Sequence, residues 1–173
     1  MKHLQVFMGI SLLTLLVGCS AAAEGIGEVT AEFEGTSYSG ITLGDTAEHQ
    51  ASATLRNFGP VMMLNLQAHD TSAESMMKNV FTIEMSLTAS GDAPQVTSAQ
   101  FSYWPNGMGE KFYSSEETPV QVKFEQFSAG ADAQAIGSFS GRMCAKADFY
   151  SAIDTSDCKE VTGTFNTQLV KAS

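Results

Sequence analysis

The sequence predicts one all-β domain, an antiparallel β-sandwich of about 8–10 strands with a jelly-roll-like arrangement. Apolar and polar residues alternate with a period of two along most of the chain after residue 28. Clusters of Gly, Pro, Asn and Asp separate these alternating runs, and long helical periodicity does not occur between them. Such alternation buries one face of each strand and leaves the other in water. A calycin-like β-barrel is the alternative architecture.

The predicted strands follow the alternating runs in order. The clearest runs cover 29–34, 81–87, 120–125 and 160–169, and further strands are predicted over 41–43, 51–58, 61–68, 96–104, 111–113 and 135–144. Only 70–79 and 148–157 could form a short helical turn, the first of them capped by Asp70, Thr71 or Ser72.

The C-terminal region carries a repeated pattern, in which a glycine stands two residues before a phenylalanine. Gly137 precedes Phe139 in this way, and Gly163 precedes Phe165. Glycine inside a strand indicates close approach of another chain or an edge covered by the aromatic ring. We therefore expect two neighbouring antiparallel strands, joined through the loop that separates them.

This pairing of strands resembles the end of certain uncharacterised β-sandwich lipoproteins of bacteria. The resemblance covers roughly the C-terminal third of the chain and rests on short motifs. It supports the fold, and it implies no activity.

The chain contains three cysteines, and two of them, Cys144 and Cys158, lie close together in sequence. In an oxidising compartment an isolated pair forms a disulfide, which stabilises a loop of this size by roughly 3 kcal/mol. A zinc site would need two more ligands, and the intervening segment offers aspartates but no histidine. No metal or other cofactor is expected.

The N-terminus has the layout of a secretory signal peptide. Lys2 and His3 precede a mainly apolar stretch over 4–17, which is shorter than the roughly 20 residues that span a bilayer. The segment 16–19, Leu-Val-Gly-Cys, resembles a bacterial lipobox. That resemblance implies cleavage before Cys19 and lipid attachment to its sulfur. An ordinary signal peptide cut near 21–23 is the alternative.

These features divide the chain into a lipoprotein signal peptide over 1–18, an acylated N-terminus with a short tether over 19–28, and one β domain over 29–173. Ser20 stands where lipoproteins kept in the inner membrane often carry Asp, which favours the outer membrane, on its periplasmic or surface face. Two or three acyl chains make such attachment effectively permanent. The net charge of −10 argues against nucleic acid as a partner, since phosphate binding needs clustered Lys and Arg.

Catalytic patterns are weak along this sequence. The segment 137–141 resembles a hydrolase nucleophile elbow but carries Phe139 at the position of the serine. His49 and His69 are interpreted as polar residues at strand edges, and Glu116 and Glu117 as opposite-facing or solvated neighbours. The methionine doublets Met62–Met63 and Met76–Met77 are interpreted as packing residues rather than copper ligands.

Tyr103 and Trp104, beside a predicted turn, are the candidate contact for a partner or ligand, because exposed aromatic rings stack on sugars and anchor interfaces. We expect a non-enzymatic envelope lipoprotein that binds a partner protein or small ligand, or acts structurally at the outer membrane. The alternatives are a hydrolase of envelope glycan or lipid, and a lipid-carrying calyx.

Overall fold

The described part of the chain consists of β strands joined by turns and irregular loops. The computed structural model describes residues 24–45, 50–90, 93–107 and 109–172. Its strands are β1 (Glu24–Phe33), β2 (Thr36–Asp45), β3 (Gln50–Ala51), β4 (Ala53–Phe58), β5 (Val61–His69), β6 (Val80–Ser90), β7 (Ala93–Trp104), β8 (Phe112–Ser114), β9 (Val120–Ser128), β10 (Gln134–Lys146), β11 (Asp154–Gln168) and β12 (Val170–Lys171). The predicted all-β class is confirmed, and each predicted strand corresponds to an observed one.

All twelve strands belong to one large mixed sheet. The hydrogen-bonded order is β12-β4-β5-β6-β7-β8-β10-β11-β1-β2-β3, and β9 pairs with β10 beside β8. Every pairing is antiparallel except that of β12 with β4. The sheet is wrapped so that its inner faces pack together, which gives a sandwich-like domain.

The two arms of the sheet meet at a seam between β2 and β5. Ile41 of β2 pairs with His69 of β5, and this is their one register pair. Ser52, between β3 and β4, links the same strands below that point. Its hydroxyl donates to the carbonyl of Gln67 and accepts from the N–H of Leu43, and its backbone also bonds both residues. One serine thus takes the place of several ladder bonds.

The interior is packed with aromatic rings from strands that are not neighbours in the sheet. The ring of Phe81 on β6 lies 5.3 Å from that of Phe139 on β10 and 5.8 Å from that of Phe33 on β1, measured between centroids. Phe81 is fully buried, and Phe33 and Phe139 are nearly so. Rings that meet across the interior favour the sandwich over the calycin-like alternative, which would leave space between its walls.

Strands β10 and β11 form the hairpin that the repeated C-terminal pattern predicts. Gly137 pairs with Phe165, and Phe139 pairs with Gly163. A Cβ atom on Gly163 would lie 2.4 Å from the Phe139 ring and 2.1 Å from the carbonyl oxygen of Thr30. Each glycine therefore makes room for the ring on the opposite strand, as the sequence suggests.

The disulfide expected from the sequence is present where this hairpin ends. Cys144 and Cys158 are directly opposite each other on β10 and β11, with their sulfurs 2.06 Å apart. Beyond them the register shifts, and Ala145 pairs with Asp154. The bridge thus closes the neck of the loop at 147–153, as predicted.

Two sequence-based expectations are wrong. Neither 70–79 nor 148–157 contains a helix. In the first segment the Asp70 carboxylate accepts hydrogen bonds from the N–H and hydroxyl of Ser72, which makes a turn instead of a cap. In the second, β11 already begins at Asp154.

The tether is also shorter than predicted. Strand β1 starts at Glu24, which pairs with Gly44 of β2, so residues 24–28 belong to the sheet. Cys19 and the rest of the signal region lie outside the described residues. Where the structure describes the chain, it has no helix of the length and apolar character needed to cross a membrane.

Candidate functional site

The outward face of β5, β6 and β7 presents rows of polar side chains. Asn65, Glu84 and Gln100 form one row across the three strands, because Asn65 pairs with Glu84 and Glu84 with Gln100. The next row contains Gln67, Thr82 and Ser102 in the same register. Alternation sends the neighbours of these residues into the core, so the outward face is left with amide, hydroxyl and carboxylate groups.

This polar face is the floor of a groove. Two adjoining cavities of about 560 Å³ and 380 Å³ lie along it, and both are lined by Asn65, Glu84, Gln100 and Glu116. The larger cavity continues toward Met63 and Ser98, and the smaller toward Trp104 and Phe149. Together they make one elongated depression of a size that accepts a small ligand.

One side of the groove is formed by an ion pair. Glu116, in the turn after β8, accepts a hydrogen bond from the Lys146 ammonium at 2.7 Å. The Lys146 side chain is 10% exposed and that of Glu116 is 51% exposed, so the lysine is nearly buried while the carboxylate is accessible to solvent. The Lys146 ammonium also lies 5.9 Å from the centre of the Phe112 ring.

An aromatic cluster closes the other end of the groove. The rings of Trp104 and Phe112 are stacked, with centroids 3.9 Å apart, and Phe149 packs against Trp104 at 4.9 Å. Trp104 and Phe112 are buried, whereas Phe149 is 53% exposed. Phe149 is therefore the ring of this cluster that a ligand in the groove can reach.

A hydrogen-bonded turn positions Phe149. The Asp148 carboxylate accepts hydrogen bonds from the N–H groups of Tyr150 and Ser151, each at 2.8 Å. Hydrogen bonding from Ser151 and then Tyr150 lowers the pKa of Asp148 below its ordinary value. The loop that the disulfide closes thus holds an ordered turn, with Phe149 directed onto Trp104.

The structure separates the two aromatic residues proposed from sequence. Tyr103 and Trp104 are consecutive on β7 and face opposite sides of the sheet. Tyr103 stacks on Phe33 in the core, with ring centroids 4.8 Å apart, and its hydroxyl donates to the side chain of Asn79 at 2.5 Å. Burial raises the pKa of the Tyr103 hydroxyl. Trp104 lies at the groove, but it is only 6% exposed.

The remaining candidates lie elsewhere. His69, at the end of β5, is buried with its Nδ1 atom 2.7 Å from the carbonyl oxygen of Met76. Met76 and Met77 are exposed in the following loop, so the packing role expected for this doublet is wrong. His49 lies outside the described residues. Within the described ranges, no three His, Cys, Asp or Glu side chains are grouped so that they could hold a metal ion.

Sequence reasoning missed Glu84, Gln100 and Phe149. Asn65, Glu84 and Gln100 belong to three strands separated by loops, and as outward residues of alternating runs they look like ordinary solvent-facing positions. Only the strand register brings them side by side. Phe149 belongs to no alternating run or motif. Its place beside Asp148 in a loop closed by a disulfide was the one sequence feature that could have indicated an ordered, exposed ring.

The groove can bind through hydrogen bonds and one aromatic face. Most side chains on its floor are neutral, and each amide or hydroxyl both donates and accepts hydrogen bonds. Comparison with known proteins adds no relative: no protein-family profile, curated protein or solved structure matches the chain.

Proposed function

We propose that the chain is a non-enzymatic lipoprotein of the bacterial envelope, anchored to the outer membrane by lipid on Cys19, and that its β domain binds a ligand or partner in the groove over β5–β7. The observation that carries the binding role is the groove itself, whose two cavities share a floor of Asn65, Glu84 and Gln100. The amides of Asn65 and Gln100 and the carboxylate of Glu84 can hydrogen-bond a bound molecule, and the exposed Phe149 ring beside them can pack against it.

The lipid-carrying alternative receives less support, because a carrier needs space between its walls. The interior rings of Phe81, Phe101 and Phe139 lie within 6.4 Å of one another, measured between centroids. Both cavities lie on the outer face of the sheet, where amide, hydroxyl and carboxylate side chains alternate with apolar surface from Met63, Trp104 and Phe149. An open groove with hydrogen-bonding groups along its floor suits a ligand that carries both polar and apolar surface, rather than an acyl chain that must be enclosed.

A glycan hydrolase is the second candidate, since Glu84 and Glu116 line the same groove. Two carboxylates that face each other across a glycosidic bond are the usual acid and base of such enzymes. Both side chains are exposed, however, and Glu116 is paired with Lys146. A general acid works best when burial keeps its proton in place, so this arrangement supports binding more than hydrolysis.

Site-specific photocrosslinking in the envelope tests the binding role. A photoreactive amino acid replaces Ser98 in the groove or, as a control, Thr164, which is exposed on β11 away from it. We expect a discrete adduct, of protein or of small molecule, at position 98 and none at position 164. The same adducts from both positions, or none from either, would contradict the proposal.

A further inference from the structure

Building on the proposed function, we infer that the groove is a saccharide site, which binds a neutral segment of a glycan chain along the outer face of β5–β7 with one sugar ring against Phe149. Four observations carry this inference: the donor and acceptor chemistry of the floor, its charge, the pairing of the strands beneath it, and the exposed ring at its end.

The floor matches a ligand rich in hydroxyl groups. Asn65 and Gln100 carry amides, and Thr82 and Ser98 carry hydroxyls, so each can donate and accept at once. Neighbouring strands are about 4.8 Å apart, and side chains on one face repeat every two residues. The result is a regular grid of two-way hydrogen-bonding groups, which fits sugar hydroxyls because they too both donate and accept.

The charge of the groove disfavours anions. Its ionisable side chains are Glu84, Glu116 and Lys146, and the single cation is already paired with Glu116 at 2.7 Å. The charges of Glu116 and Lys146 balance each other, so a phosphate or an acidic sugar would meet the net negative charge of Glu84 and no free cation. A neutral saccharide meets no such repulsion, and Glu84 is left to accept hydrogen bonds from its hydroxyls.

The strands beneath the groove are already paired, which argues against an extended peptide as the ligand. Strand β6 is hydrogen-bonded to β5 over Val80–Thr88 and to β7 over Val80–Ser90. Peptides that bind a sheet by strand addition need a free edge, where main-chain groups are unpaired. On this face recognition depends on side chains alone.

Phe149 supplies the apolar surface that a sugar ring needs. Its ring is 53% exposed and packs against Trp104, so part of the ring is held in place by the tryptophan and the rest is accessible to a ligand. The C–H face of a pyranose packs on an aromatic ring, while its hydroxyls remain at the edge for hydrogen bonds. The floor and the ring are adjacent in one cavity, which is lined by both Gln100 and Phe149.

Calorimetric titration of the purified, acylated protein in detergent tests the inference. The probes are a neutral tetramer of N-acetylglucosamine, a neutral tetramer of glucose and, as the charged comparison, a tetramer of galacturonic acid. We expect at least one neutral tetramer to bind and the acidic one not to. Phe149→Ala should weaken binding about tenfold, the effect of one lost aromatic contact, and Gln100→Ala should weaken it as well.

Tyr150→Ala is the matched control, because Tyr150 follows Phe149 in the same turn, is fully exposed and does not line the groove. This variant should bind like the unchanged protein. Thermal unfolding of all three variants checks that they remain folded, which we expect since none of the replaced rings or amides is a buried core residue.

The outcomes separate this inference from the proposed function. Absence of binding to both neutral tetramers, or binding that Phe149→Ala and Gln100→Ala leave unchanged, overturns the saccharide site. If a protein adduct nevertheless forms at position 98, the binding role stands and its ligand is a peptide. Cleavage of a tetramer that Glu84→Gln abolishes would keep the saccharide ligand and replace the binding protein with a glycosidase.

Discussion

At the scale of single residues, the two glycine–phenylalanine pairs show how little space the β1–β11–β10 region leaves. Gly163 lies between the Phe139 ring and the backbone of β1, where a Cβ atom would be 2.1 Å from the Thr30 carbonyl oxygen. Because that neighbour is backbone, the clash cannot be relieved by rotating a side chain. The glycine is therefore required by packing on both of its sides.

Gly163→Ala should lower the free energy of unfolding by about 1–3 kcal/mol, the usual cost of an overpacked site. Urea denaturation followed by tryptophan fluorescence measures it. Gly130→Ala is the matched control, since a Cβ atom there would meet nothing within 4 Å. Equal stability of the two variants would contradict the packing argument.

The same scale shows what the sequence can and cannot predict about the site. Tyr103 and Trp104 are predicted together as one contact because they stand beside a turn, although alternation along a strand sends them to opposite faces and prevents them from acting as one contact. Alternation gives no sign that Trp104 is covered by Phe149, because that contact joins residues far apart in sequence. The ion pair of Glu116 with Lys146 is likewise invisible in the sequence, because the two residues are 30 positions apart.

At the scale of elements, the hairpin of β10 and β11 depends on two kinds of lateral support. The glycine–phenylalanine pairs hold its middle, and the disulfide between Cys144 and Cys158 holds the end that carries Phe149. These supports are independent, because several residue pairs separate them along the ladder.

Reduction of the disulfide should lower the free energy of unfolding by roughly 3 kcal/mol, since a loop closed by residues 14 positions apart is released. Thermal unfolding with and without a reductant measures the change. The Cys144→Ala, Cys158→Ala double variant should match the reduced protein and no longer respond to reductant. If the double variant still lost stability in reductant, the disulfide would not be the cause of the change.

The turn at 148–151 should be sensitive to acid. Hydrogen bonding from Ser151 and Tyr150 lowers the pKa of Asp148, so the charged form stabilises the turn. This contribution is present above the unfolded pKa of about 4 and is lost as the pH falls through the lowered folded pKa. The protection factors of the Tyr150 and Ser151 amides, which compare their exchange with that of an unstructured peptide at the same pH, should therefore fall on acidification and be low at every pH in Asp148→Ala.

Asp132→Ala provides the comparison for that experiment, because Asp132 is an exposed carboxylate in a different loop. Its exchange pattern at Tyr150 and Ser151 should equal that of the unchanged protein. High protection factors at both amides in Asp148→Ala would contradict the role given to this carboxylate.

Strands were predictable at this scale and loops were not. Runs such as 81–87 alternate apolar and polar residues without interruption, so the local pattern alone predicts that they are strands. The segment 70–79 misleads because Asp70 and Ser72 suit both a helix cap and a tight turn. The choice is made by long-range partners, since the side chain of Asn79 donates to Asp70 and accepts from Tyr103.

At the scale of the whole molecule, the shortened tether determines how the domain would sit. Only four residues separate Cys19 from Glu24, the first residue of β1. With at most about 3.5 Å for each residue, the sheet would begin within roughly 20 Å of the lipid-bearing sulfur. If Cys19 is acylated, the first residues of β1 lie close to the membrane surface, and the domain has little freedom to move away from it.

Cys19→Ser tests the anchor. The variant should lack acyl groups in mass spectrometry and should leave the membrane fraction, because without acylation the chain loses the lipid that holds it to the bilayer. A Ser20→Ala variant, changed at the neighbouring position, should stay acylated and membrane-bound. Retention of the Cys19→Ser protein in the membrane fraction would contradict lipid anchoring.

The seam between β2 and β5 has a consequence for how the protein behaves in a crowded envelope. An unpaired strand edge is a template on which other chains can add, and aggregation begins at such edges. By joining Leu43 to Gln67, Ser52 covers two edges at the place where the arms of the sheet meet. Loss of that one hydroxyl would leave the Ser52 backbone bonds in place but free the N–H of Leu43 and the carbonyl of Gln67. A change too small to unfold the domain would then offer one unpaired group on each edge to a second chain.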